Sequence, residues 1–103
     1  MSEAVWHMRS NQSVNADRDP MVLGLLLLAH VIADADLGPR FLELTGMSAD
    51  DLRSRADDSG VLAALIDFLA ANEADLVAAA DALEILPATI IAAGVRLSGG
   101  WGA

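Results

Sequence analysis

The sequence predicts an all-α fold, a compact bundle of five to six short helices. Three observations point there. Ala and Leu together make up about a third of the 103 residues, and both are strong helix formers. Tyr is absent, and runs that alternate apolar with polar residues are missing, so the signals of strands are weak. Cap and turn residues such as Asp19-Pro20, Ser48-Ala49-Asp50-Asp51 and Asn72-Glu73 punctuate the apolar stretches, as they do between helices.

The length suits one domain. Residues 1–18 (MSEAVWHMRSNQSVNADR) are polar and unperiodic, which predicts a flexible N-terminal tail. Trp6, His7 and Met8 are its docking-competent residues. Residues 19–103 form the single helical domain. Its hydrophobic fraction of 54% against 20% charged residues is ample for folding.

Asp19-Pro20 opens the first helix. Asp accepts from the unpaired amides of the first turn, and Pro suits the first helical position. The helix is expected to run to about Asp34. Leu23, Leu26, Leu27, His30 and Val31 lie along one face, while Val22, Leu25, Leu28 and Ile32 fill the other. A helix apolar nearly all round is central, or has one face covered by a second chain. Gly38-Pro39 is expected to break the chain, with a short helix from Arg40 to Thr45 ended by Gly46. Ser48 to Asp51 resembles a capping box with Asp in the fourth place, opening a two-turn helix to about Arg55. Asp57-Asp58-Ser59-Gly60 is a turn and cap cluster. Val61 to Ala71 is the second strongly apolar helix, interrupted only by Asp67. Asn72 to Asp75 ends it and caps the next, which runs to Leu83 with a narrow stripe of Leu76, Ala79, Ala80 and Leu83. Pro87 opens the last helix, to Leu97, with Gly99 and Gly100 ending it and Trp101 closing the chain.

Charge and composition exclude several functions. Six basic residues, all arginine, stand against fifteen acidic ones, for a net charge of −9. That argues against a nucleic-acid partner, since neutralising phosphates needs clustered cations. No cysteine is present, so disulfides, thiolate metal sites and a cysteine nucleophile are ruled out. The apolar run Met21 to Ala33 falls short of the roughly 20 residues of a membrane span. It also starts too far into the chain for a signal peptide. A cytoplasmic location without membrane contact is the expectation.

The sharpest local motif is Ala80 to Ile90 (ADALEILPATI). Ala80, Ile85, Pro87 and Ile90 fall at spacings found in DNA-reading helix-turn-helix units, with Glu84 where the turn glycine would stand. A recognition helix needs donors for bases and phosphates. Ala88 to Ala93 offers one hydroxyl, and Arg96 is the nearby cation. The plain reading is an αα-hairpin; the alternative is a DNA-associated regulator using residues 76–97.

The remaining candidates are weaker. Asp67, inside an apolar helix, is expected to form a structural ion pair with Arg53 or Arg55, because a buried lone carboxylate is costly. Asp34-Ala35-Asp36-Leu37-Gly38 hints at a calcium loop, but Thr45 stands where the bidentate Glu belongs. The doublets Asp50-Asp51 and Asp57-Asp58 suit helix starts. His30 has only Asp34 one turn away, no Gly-x-Ser-x-Gly elbow accompanies it, and His7 makes no metal spacing with it. The glycine pair Gly99-Gly100 follows a helix, so it is no phosphate cradle. These residues indicate no cofactor, no metal and no catalytic set.

Several stretches in succession resemble a known family. They are Arg40-Phe41-Leu42, Thr45-Gly46, Asp51-Leu52-Arg53-Ser54-Arg55-Ala56, Leu65-Ile66-Asp67-Phe68-Leu69 and Leu97-Ser98-Gly99-Gly100-Trp101. Together they resemble the family of domain of unknown function 3572, over about Pro20 to Trp101. Asn72-Glu73 stands where that family tends to show two acidic residues, and Ser98 where Pro is common. The resemblance implies a small bacterial, cytoplasmic, helical protein and brings no catalytic residues with it.

The preferred functional expectation is a small acidic, non-enzymatic protein-interaction module, with a second copy as one candidate partner. Its motive is surplus apolar surface: two such helices are hard to cover in so small a domain. Leu25, Leu28 and Ile32 on the first helix are the expected interface.

Overall fold

Each helix begins where a side chain accepts from the unpaired amides of its first turn, or where a proline has no amide to leave unpaired. The computed structural model describes residues 19–99, which form six helices and no strand. Helix α1 (Pro20–Ala33) starts with the Asp19 carboxylate accepting from the Met21 and Val22 amides. Helix α3 (Ala49–Ser54) has the expected capping box, with the Ser48 hydroxyl and Asp51 carboxylate exchanging bonds with each other's backbone N–H. Helix α4 (Ser59–Ala70) is capped by Asp58, and α5 (Glu73–Leu83) by Asn72. Helix α6 (Pro87–Leu97) has Pro at its first position, where a missing N–H costs nothing. The tail 1–18 and Trp101 lie outside the described residues.

Helix α2 (Leu37–Thr45) corrects one expectation. It starts three residues early and takes Gly38 and Pro39 into its first turn. The first-turn amides have no intrahelical partner, so a proline there breaks no bond. The start is held from upstream: the Asp34 carboxylate accepts from the Asp36 and Leu37 amides at 2.8 and 2.9 Å. Gly46 then ends the helix with φ of 74°, a left-handed conformation that glycine adopts without a Cβ clash.

Those two amide bonds hold the Asp34 carboxyl below its ordinary value of 3.8, with smaller help from the charges of His30 and Arg40. A depressed folded-state pKa stabilises the fold above the unfolded value, and that contribution is lost as pH falls through the folded pKa. Asp34→Asn is therefore expected to lower the melting temperature near neutral pH, with the gap to wild type narrowing below pH 3.8. Thermal melts of both chains across that range check it; a gap independent of pH would refute it.

Helices α1, α4 and α6 pack against one another, α5 leans on all three, and α2 rests on α1. The core includes Leu23, Leu27, Leu28 and Val31 of α1, Leu37 and Phe41 of α2, Leu52 of α3, Leu62, Leu65, Ile66 and Leu69 of α4, Ala79 and Ala80 of α5, and Ile90 and Leu97 of α6. Two glycines set how closely the central helices approach. A Cβ on Gly24 would stand 3.0 Å from Leu62 Cδ1, and one on Gly94 only 2.7 Å from Ile66 Cγ2. Both α1 and α6 thus lie directly on α4.

Arg40 is the long-range polar tie. Its guanidinium donates to Asp36 at 2.7 Å and to Asp75 at 3.1 Å, and lies 5.4 Å from the Phe68 ring centre. It thereby joins α2 to the start of α5 and to α4. Both carboxylates hold the Arg40 guanidinium above its ordinary pKa.

Candidate functional site

A helix whose only polar side chain is a histidine in its last turn has little in its own sequence to fix its rotation about its axis. In α1 the rotation is set by Gly24, which lets α4 approach. The buried sector is Leu23, Gly24, Leu27, Leu28 and Val31. Leu28, expected at an interface, is therefore in the core at 4% exposure, and Leu26, expected in the core, is 45% exposed. Leu25 and Ile32 are exposed as expected, at 40% and 51%.

The outward side of α1 consists of Val22, Leu25, Leu26, Ala29, Ile32 and Ala33, all exposed and all apolar. At 3.6 residues per turn they form one continuous stripe about 120° wide. Helix α6 repeats the pattern with Ala88, Ile91, Ala92 and Val95, again all exposed. On both helices the stripe lies on the far side from the glycine that touches α4. Each of α1 and α6 thus carries an apolar stripe on its outward side, more than the scattered single residues that are normal on a monomer.

Next to Ile32, between α2 and α3, is an apolar recess of about 200 Å³ lined by Ile32, Gly38, Pro39, Leu42, Ala49, Leu52 and Arg53. A second recess of about 210 Å³ lies among Pro20, Met21, Ser59, Arg96, Leu97 and Gly99. The first extends the α1 stripe; neither gathers a set of acid and base groups.

The ion pair expected at Asp67 does not form. Asp67 is exposed on α4, because the neighbouring helices cover only the side bearing Leu62, Leu65, Ile66 and Leu69. A solvated carboxylate needs no compensating cation. Arg53 instead pairs with Asp50 within α3 at 3.2 Å, both side chains largely in water, and Arg55 is exposed at the end of that helix. Such a surface pair contributes little. A cross-helix ion pair does form between Arg40 and Asp75, residues 35 apart. No local spacing announces it.

His30 is half-buried on α1, and its Nε2 is buried without a hydrogen-bond partner. Its neighbour Asp34 is committed to the α2 amides, and Asp36 to Arg40. The would-be calcium loop is thus a helix end and a helix start. Among the described residues no group of three or more His, Asp or Glu side chains is placed to hold a metal ion. Nor is any single helix among them long and apolar enough to cross a membrane.

The 76–97 hairpin shares its bend and turn length with helix-turn-helix units. Helices α5 and α6 are bent by 99°, across a turn of three residues, Glu84 to Leu86, within the range of such units. Glu84 takes the left-handed conformation, φ 59°, at the place where a glycine would be usual. The Ile85 amide closes back on the Ala80 carbonyl at 3.0 Å, as in a Schellman end. Glu84→Gly is expected to stabilise the fold by roughly 1 kcal/mol by removing the Cβ strain, read from urea denaturation; a loss of stability would refute it. The outward face of α6, the reading position of such a unit, bears Ile91, Ala92 and Val95 and almost no donors.

No curated protein and no solved structure matches the chain. A family model described as "Protein of unknown function (DUF3572)" matches residues 17–100, and the chain belongs to that family.

Proposed function

We propose that this is a non-enzymatic protein-interaction module acting in the cytoplasm, and that the outer face of α1 is its docking surface. The observation that carries the reading is the unbroken apolar stripe from Val22 to Ala33, exposed over its whole length. Apolar surface of this extent is costly in water unless something covers it. The acidic residues add support by their placement: Asp19, Asp34, Asp51 and Asp58 serve as caps at helix starts, and do not converge on a recess.

The test is a photoreactive amino acid placed at Ile32 in one chain and at Asp67 in another, activated in cells. The expected result is protein adducts from position 32 and none from position 67. Adducts absent from both, or equal at both, would overturn the reading.

A second reading, a DNA-associated regulator using the 76–97 hairpin, is favoured by the 99° bend. Weighing against it is the net charge of −9. A mobility shift at low salt that disappears as salt rises is its signature. No shift at low salt dismisses it.

A further inference from the structure

We infer that the occupant of the apolar face is a second copy of this chain, and that the interface is the whole outer surface of the α1–α6 layer. This rests on the interaction reading above and names its partner.

Three arguments single out a second copy. The first is charge. Each chain carries −9, so two copies repel over most of their surfaces, yet neither stripe contains a charged residue. The stripes are where two copies can meet without burying a carboxylate. A basic partner would find nothing on them to pair with. The second is area. Val22, Leu25, Leu26 and Ile32 are 40–51% exposed, and Ile91 and Val95 are 39% and 54% exposed. With the four stripe alanines this comes to on the order of 600 Å² per copy, approaching the roughly 800 Å² per partner of a standard stable interface. The α1 stripe alone falls well short of that, which is why α6 belongs to the interface. The third is self-complementarity. A two-fold axis between Leu26 and Ala29 runs the two α1 helices antiparallel. It sets Leu26 opposite Ala29 and Val22 opposite Ala33, where large side chains meet small ones, and Leu25 opposite the half-buried His30. Antiparallel helices also oppose their dipoles favourably. An isologous contact of this kind is the commonest way for a small soluble protein to assemble.

The assembly has an uncommon salt dependence. Its driving force is apolar and its opposition is like charge, so added salt screens the repulsion and tightens it. Association led by opposite charges weakens instead.

The experiment uses the full chain. Sedimentation equilibrium is expected to show twice the 10.7 kDa chain mass, with the dimer favoured further at 0.5 M salt than at 0.05 M. Leu25→Glu on α1 and Val95→Glu on α6 are each expected to weaken dimerisation at least tenfold with helical circular dichroism unchanged. Because the chain has no cysteine, Ala29→Cys supplies a unique thiol at the two-fold that a short bis-maleimide couples into dimers, whereas Ala64→Cys, exposed on α4, yields none. A monomer at millimolar concentration, a dimer indifferent to Val95→Glu, or coupling equal at positions 29 and 64 overturns the inference. Adducts from position 32 with a different protein, alongside a monomeric purified chain, would sink the second copy as partner while leaving the interaction reading standing. No adducts at all would sink both.

Discussion

Phe41→Ala is expected to lower the unfolding free energy by about 3–5 kcal/mol, the usual cost of truncating a fully buried phenylalanine. Phe41 is 1% exposed, and its ring meets that of Phe68 at 5.3 Å in a tilted arrangement of 59°, which adds to the area term. Helix α2 packs on α1 and enters the core with Phe41, its largest buried side chain, beside Leu37, while the Arg40 guanidinium lies near the same Phe68 ring. Marginal domains have about 5–15 kcal/mol in all, and a domain this small sits toward the low end. The variant is therefore expected to lose most of its resistance to urea, measured as a large drop in midpoint. Phe41→Leu fills much of the same volume and is expected to cost well under half as much. A loss below 1 kcal/mol for Phe41→Ala would mean that α2 is not anchored as described.

The helix ends were the most legible part of this chain, because a cap is a local event. Ser48 and Asp51, Asn72 and Gly46 each satisfy first- or last-turn groups within four residues of themselves, and Pro87 lacks the amide that would need a partner. Local chemistry therefore decides them whatever the tertiary packing. The start of α2 was misplaced for an instructive reason. Gly38-Pro39 is a strong breaker inside a helix but harmless in its first turn, and the Asp34 carboxylate upstream makes it a first turn. Even Glu84 was visible as the position where a turn glycine was wanted; the chain puts a glutamate into the left-handed conformation there.

Rotation and long-range pairing were not legible. In α1 apolar residues lie on every side and His30 is the lone polar one, so hydrophobicity cannot say which side faces inward; a missing Cβ at Gly24 does. That single contact moved Leu28 into the core and Leu26 out of it. In α4 the lone Asp67 looked like a buried charge because its neighbours in sequence are apolar. Its neighbours in space are solvent, since Ala64 and Ala70 on the same side are exposed too. An exposed Ala reads as hydrophobic in a composition count but sits in water at little cost. The Arg40–Asp75 pair depends on where α5 starts relative to α2, which no sequence spacing encodes. Of the three residues expected at an interface, Leu25 and Ile32 are exposed and Leu28 is buried; Val22, Leu26, Ile91 and Val95 are exposed as well.

Gly94 is where the orientation of that surface can be tested without touching it. A Cβ there would stand 2.7 Å from Ile66 Cγ2 and 3.3 Å from Ile66 Cβ. Neither atom can swing aside, because Ile66 is branched at Cβ and buried at 2% exposure. On an open helix Gly→Ala stabilises by up to about 1 kcal/mol; here overpacking of about 1–3 kcal/mol opposes it. Gly94→Ala is thus expected to be destabilising by about 1–2 kcal/mol, and Gly94→Val by about 3 kcal/mol or more, as its extra methyls are driven into α4. The clash has one named partner, so a double-mutant cycle isolates it. Ile66→Ala alone is expected to cost about 2–5 kcal/mol, and in that background Gly94→Ala should become neutral or stabilising, with a coupling above about 1 kcal/mol. Gly24 supplies the comparison: a Cβ there would stand 3.0 Å from Leu62 Cδ1, which can swing, and 3.2 Å from Leu62 Cβ, which cannot; with no contact as short as the 2.7 Å at Gly94, Gly24→Ala is expected to be destabilising but to cost less than Gly94→Ala. If Gly94→Ala proves stabilising in the wild-type background, α6 does not rest on α4 through that glycine, and Val95 need not point away from the core on the side where a second chain would dock.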